Sequence, residues 1–161
     1  MIRTATPHDE PVLRALDLET WTWLTSPSPA PPPDRPFNIA DALVAELDGA
    51  IAGYVKLGPA LPVESASHVL EVKGLAVSPA HRRRGIGRAL MDAAAHEASA
   101  RGARRLTLRV LANNTDARAL YAACGFEVEG VLRDLFVLEG RYVDDVLMSL
   151  DLTAGGSSAS T

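Results

Sequence analysis

Residues 67–112 hold the strongest constraint on this chain. A strand-like run, "SHVLEVKGLAV" (67–77), leads through a turn into a helix-like run over 84–101, and "RRLTLRVLA" (104–112) follows as a second strand. A strand, a helix and a strand in that order call for a sheet with the helix laid across its face. Ile86, Leu90, Ala93, Ala94 and Ala98 recur at helical spacing, and Gly102 stands where the helix should stop.

The flanking segments extend the same plan. "MIRTA" reads as a short strand and residues 6–24 as a helix, capped by Thr6 or Asp9, with Pro7 or Pro11 in its first turn. Residues 26–36, "SPSPAPPPDRP", are too proline-rich for helix or central strand and form a stiff loop, a candidate wall for a substrate site. Asp48-Gly49 and Glu139-Gly140 each separate two strand-like runs, the signature of hairpins. "NTDARALYAACGF" (114–126) is a short helix ended by Gly125. The order predicts a mixed α/β sheet with helices on its faces, one domain over 1–152, and a small, polar, disordered tail over 153–161.

Composition narrows the function classes. A chain of 161 residues, 47% apolar and 22% charged, is long enough to bury a core without disulfides or metals. Its single cysteine, Cys124, excludes a disulfide framework and a cysteine-rich zinc site, so no metal is expected and a reducing cytoplasm suits it. The net charge of −4 argues against a surface built for nucleic acid, and the Arg82–Arg84 cluster is only about one turn long with no recognition helix to carry it. No apolar run approaches the roughly 20 residues that span a bilayer, and acidic residues stand where a signal peptide's apolar stretch would be, so no membrane partner is expected.

At the strand–helix junction, "LAVSPAHRRRGIGRAL" places Gly85 and Gly87 where a helix offers free N–H groups and the positive end of its dipole. Glycines there let an anion such as a pyrophosphate reach the backbone. The dinucleotide fingerprint fails for want of a third glycine, and the P-loop for want of its Gly-Lys-Ser/Thr. The competing reading is that the glycines serve helix–sheet packing and the arginines are a solvated face.

Arg82-x-x-Gly85-x-Gly87, preceded by "LAVSP", resembles the acyl-CoA signature of the GNAT superfamily of N-acetyltransferases. Residues 114–126 are similar to a second segment of that family, with Asn114, Ala117, Leu120, Tyr121, Gly125 and Phe126 in register, and the closing hairpin resembles the branches acting on amino-acid-like compounds and protein N-termini. The resemblance covers about half the chain. It implies a mostly antiparallel sheet of six to seven strands, splayed between its two central strands, with helices on both faces. It also implies acetyl-CoA as cosubstrate. The backbone of about Arg83, Arg84, Gly85, Ile86, Gly87 and Arg88 would hold its pyrophosphate, with Arg82 and its neighbours adding charge. Leu75, Ala76 and Val77 would pair with the pantetheine arm, and Asn114 would touch that arm while capping its helix.

Acyl transfer to an amine needs a neutral amine, a polarised carbonyl and a proton for the leaving thiolate. The resemblance makes Tyr121 the acid; otherwise it packs against the sheet. Glu71 is the candidate base, on a strand whose alternation is expected to set Glu71, Lys73, Leu75 and Val77 on one face; an ion pair with Lys73 or His68 competes with that role. Arg109 stands where some family members carry a glutamate base on the neighbouring strand. Cys124 reads as a small apolar residue, not a nucleophile. For the acceptor, a primary amine on a small molecule or peptide, the candidates are Trp21 and Tyr142 to stack on a cation and Asp144 or Asp145 to attract an ammonium. A catalytically silent acyl-CoA-binding module of the same fold is the alternative. A homodimer through the closing hairpin is compatible with the sequence.

Overall fold

A computed structural model describes residues 1–153 of the chain; most of the expected tail, 154–161, lies outside the described residues. Seven strands form one sheet: β1 (Ile2–Thr4), β2 (Ala42–Leu47), β3 (Ala50–Pro59), β4 (Val69–Val77), β5 (Arg105–Leu111), β6 (Glu127–Leu138) and β7 (Arg141–Asp151), in the spatial order β1-β2-β3-β4-β5-β7-β6. Every pairing is antiparallel except β4 with β5. The helices are α1 (Glu10–Thr20), α2 (Ile86–Ala100) and α3 (Thr115–Ala123). No helix among the described residues is long and apolar enough to cross a membrane.

The turns follow from the sequence. Asp48 and Gly49 have φ of 53° and 78°, and Glu139 and Gly140 of 50° and 77°. Two consecutive left-handed residues twist a two-residue loop in the sense that paired strands require. The first helix is shorter than expected. It ends at Thr20, and Trp21 is extended, so the two tryptophans belong to the loop that follows.

Two apolar layers cover the sheet. On one face, Leu90, Met91, Ala94 and Ala98 of α2 pack on Val55, Leu57, Val72, Leu106, Leu108, Val146 and Met148, with Tyr121 of α3 and Cys124 at its C-terminal cap on the margin. On the other, Leu13 and Leu16 of α1 pack on Val44, Tyr54 and Ala76. Leu13 and Leu90 are fully buried, and each such side chain contributes about 1.5–3 kcal/mol to the folded state. Arg3 ties β1 to the start of α1 and to β2 through Asp9 and Glu46, at 2.7 and 2.8 Å.

Two local irregularities position the site. The β4–β5 ladder holds only from Val69↔Arg105 to Glu71↔Thr107, and beyond it the strands diverge. One residue further along, β4 bulges: Lys56 of β3 pairs with Gly74 and Leu57 with Val72, leaving Lys73 as the extra residue. The bulge corrects the simple alternation expected for this strand. Val72, not Lys73, shares a core face with Leu75 and Val77, while Glu71 turns to the α1 face.

Candidate active site

The divergence of β4 and β5 opens a cleft of about 1130 Å³ that passes from one face of the sheet to the other. Leu108, Val110, Leu120 and Tyr121 line it on the α2/α3 side, and Arg109, Leu111 and Asp145 on the α1 side. A second cavity of about 640 Å³ lies against α1 and the proline loop, and the two share Lys73, Gly74, Leu75 and Val77 along β4, with Arg82 beyond it and Thr20 and Thr25 at the end of α1 and in the loop after it.

The open edge of β4 is one wall. The Ser78 N–H donates to Ala52 of β3 at 2.8 Å. Strand alternation therefore directs the N–H and C=O of Val77 and Leu75 away from β3, into the gap. Leu75 and Val77 line the cleft, whereas the Ala76 side chain is buried on the opposite face against Tyr54 and α1. What this edge offers a ligand is backbone, in the manner of strand addition.

At the end of β4 the chain passes through Pro79–His81 into α2. The helix begins at Ile86, two residues later than expected, because Arg83 (φ 62°) and Gly85 (φ 76°) occupy the left-handed region that turns the chain into it. Gly85 caps the helix with no side chain in the way, so the first-turn N–H groups face outward with the positive end of the dipole. A Cβ on Gly87 would stand 3.2 Å from Leu120 and 3.8 Å from Val77, inside the cleft wall. Arg82, Arg83, Gly85, Ile86, Gly87 and Arg88 all line the cleft; Arg84 does not. These four arginines are exposed and make no ion pair among the described residues. The observations fit a phosphate-bearing ligand: bare backbone N–H groups, space that a Cβ would take, and cations held by nothing else. His81, which the sequence did not single out, presents a buried Nδ1 with no partner on the same wall.

Asn114 caps α3, its Oδ1 accepting from the Ala117 N–H at 3.3 Å, and also lines the cleft. About two turns along that helix, Tyr121 packs against Phe126 with ring centroids 6.2 Å apart. Burial, with a smaller contribution from Cys124, pushes the Tyr121 phenol up to about 12. Its hydroxyl has no hydrogen-bond partner among the described residues and is not sealed in the core. Burial also raises the Cys124 thiol, as suits an inert apolar residue.

The remaining candidates separate. Glu71 sits in the crotch, in the last paired position before the strands part, with Lys73 Nζ at 3.5 Å; it lines neither cavity. Trp21 lines the smaller cavity, donating its indole N–H to Ser28 C=O at 3.0 Å and meeting Trp23 edge-on. Tyr142, a candidate to stack on the acceptor, stands at the far tip of the β6–β7 hairpin, 72% exposed, and lines neither cavity. Asp144 also turns away, its carboxylate accepting from the Asp134 N–H at 2.8 Å. Its neighbour Asp145 faces the cleft instead, only 3% exposed and ion-paired with Arg109. Alternation could have separated the two aspartates, since Val146 and Met148 mark the core face and put Asp145 opposite.

This arrangement matches known proteins. The profile of the Acetyltransferase (GNAT) family matches residues 11–126. Phosphinothricin N-acetyltransferase of Alcaligenes faecalis is 30% identical over 98% of this chain and 85% of that enzyme. The crystal structure of smu.2055 from Streptococcus mutans UA159 superposes with a TM-score of 0.85 at 29% identity, over 94% of this chain and 99% of that one. A GNAT superfamily phosphinothricin acetyltransferase from Sinorhizobium meliloti, solved in complex with acetyl-CoA, shares the fold with a TM-score of 0.82 at 22% identity, over 94% and 87%. With its splayed strands and bare-backbone helix start, the chain belongs to the GNAT family and is an acetyl-CoA-dependent N-acetyltransferase.

Proposed function

We propose that residues 1–152 act as one catalytic domain that acetylates a primary amine, with acetyl-CoA along the open edge of β4 and the amine entering from the α1 side. The carrying observation is that a single cleft crosses the sheet, with Tyr121 on one side and the loop after α1 on the other. The α2 N-terminus, Arg82, Arg83 and Arg88 hold the phosphates, Leu75 and Val77 pair with the pantetheine arm, and Asn114 touches it. A C–N bond forms to the acyl carbon, the C–S bond breaks, and the thiolate takes the Tyr121 proton. Glu71, at the crotch, removes the amine's proton through a water. The single cysteine suits a reducing compartment, and we place the reaction in the cytoplasm. A second copy is expected on edge strand β6, whose Val128, Val131, Leu135 and Val137 are exposed; a monomer by sedimentation would remove that partner.

The test is acetyl-CoA-dependent thiol release with amino acids, polyamines and free-N-terminal peptides. Tyr121→Phe should lower kcat at least about tenfold, or 1.4 kcal/mol of barrier; an unchanged kcat removes the acid role. The neutral phenol is the donor, so its activity is lost as pH rises through its pKa. With that pKa near 12, Tyr121 produces no falling limb through pH 10. Glu71→Gln should slow turnover most at neutral pH and recover as the amine loses its own proton at higher pH.

A further inference from the structure

Arg109 and Asp145 are the only ion pair whose two members both line the through-sheet cleft among the described residues. Arg109 lies two residues past Thr107, where the β4–β5 ladder ends, so it stands just inside the opening. Across the β5–β7 ladder Arg109 faces Leu147 and Asp145 faces Leu111, which makes the pair diagonal neighbours on the α1 side of the sheet. Tyr121 reaches the cleft from the opposite side.

The bonding within the pair is incomplete in a directed way. Arg109 donates its Nε to Asp145 Oδ2, and its two Nη groups make no hydrogen bond among the described residues, on a side chain 48% exposed. Among the described residues Asp145 Oδ1 has no partner either, although the residue is otherwise buried, and it is not a sealed, orphaned atom. Removing a carboxylate from water is costly without compensation. One bond from Nε supplies part of it, leaving one acceptor oxygen and one guanidinium edge unpaired among the described residues, on two side chains that line the cleft.

We propose that Arg109 and Asp145 clamp the acceptor as a free α-amino acid, its ammonium on Asp145 Oδ1 and its carboxylate on the Arg109 Nη groups; this rests on the N-acetyltransferase reading above. The order of charges matches a zwitterion whose two charged groups share one carbon. Polyamines and aminoglycosides bring further ammonium groups to Arg109 and no carboxylate. A peptide N-terminus offers an amide where Arg109 expects an anion. Leu24, Leu111 and Phe136 line the same part of the cleft and give an apolar side chain a surface to pack on.

Full-length protein should be assayed with L-leucine, L-leucinamide and 3-methylbutylamine, which keep the side chain and amine while the carboxylate is neutralised and then removed. The wild type should prefer leucine to leucinamide by at least about tenfold in kcat/KM, the weight of one charge-assisted contact. Arg109→Gln should raise KM for leucine about ten- to hundredfold and leave leucinamide within about threefold, collapsing the preference. Arg109→Lys, which keeps the charge on a group that cannot form a fork, should fall between. Unchanged acetyl-CoA binding by each variant shows that it is folded. Equal use of leucine and leucinamide by the wild type, or a parallel loss on both in Arg109→Gln, overturns the clamp. If no amine is acetylated, the transferase reading fails, and calorimetry of leucine against leucinamide on the CoA-saturated protein decides the clamp alone. Selective leucine binding that disappears in Arg109→Gln supports it, and equal or absent binding of both overturns it.

Discussion

The proposed phosphate cradle and the proposed acceptor side of the same cleft are built by opposite means. The cradle is local: Arg82 to Arg88 supply it, and what they supply is mostly backbone, exposed because Gly85 and Gly87 carry no side chain. The acceptor side gathers side chains from four places, namely Arg109 on β5, Asp145 on β7, Phe136 on β6 and Leu24 in the loop after α1. Backbone recognition reads a group that every acyl-CoA carries, so it needs no tuning. Side-chain recognition reads the part that varies between acceptors, and it changes with single substitutions on a constant sheet.

If the cradle is backbone, filling it should cost more than stripping its charge. Gly87→Leu puts a side chain against Leu120 and Val77 in the cleft wall. We expect acetyl-CoA affinity to fall about hundredfold, some 2.7 kcal/mol, with little dependence on salt, by calorimetry at two ionic strengths. A loss below about tenfold would shift the weight to the arginines. Replacing Arg82, Arg83 and Arg88 together by Gln is the complementary experiment. Exposed charges in solvent contribute modestly, so about tenfold is expected at low salt, shrinking as the Debye length falls to about 3 Å at 1 M. A salt-independent loss would mean that the arginines form fixed, desolvated contacts.

The same contrast explains what could be read from the sequence. The element order, the two hairpin turns and the glycine-marked helix start each follow from neighbours in the chain, and of residues 82–88 all but Arg84 line the cleft. Errors fell where distant segments decide. The bulge at Lys73 reflects the register of β4 on β3, which no local pattern records, and it reassigned Val72 and Glu71 to opposite faces from those expected. Alternation from Val146 and Met148 puts Asp144 and Asp145 on opposite faces, but only the β5–β7 ladder shows that the face of Asp145 is the one beside Arg109 and the cleft. In sequence, Arg109 is only a position without a glutamate base. Its partner, 36 residues on, gives it a positive content.

The smallest expected effects lie at the hairpin residues that the structure moves out of the site. Tyr142 is 72% exposed beyond the cleft, so Tyr142→Ala should leave KM for the amine and kcat within about twofold, since an exposed side chain away from any special feature changes little. Asp144→Asn keeps an acceptor oxygen for the Asp134 N–H, while Asp144→Ala removes it at a place where Asp134 already holds φ of 51°. The alanine variant should therefore lose about 1 kcal/mol of stability in urea unfolding, and the asparagine variant less, with turnover unaffected in both. A rise in KM for the amine in either would bring Asp144 back toward the acceptor. That result would mean that the hairpin bends over the cleft when the amine binds, making the acceptor side a surface completed by its ligand while the cradle is complete without one.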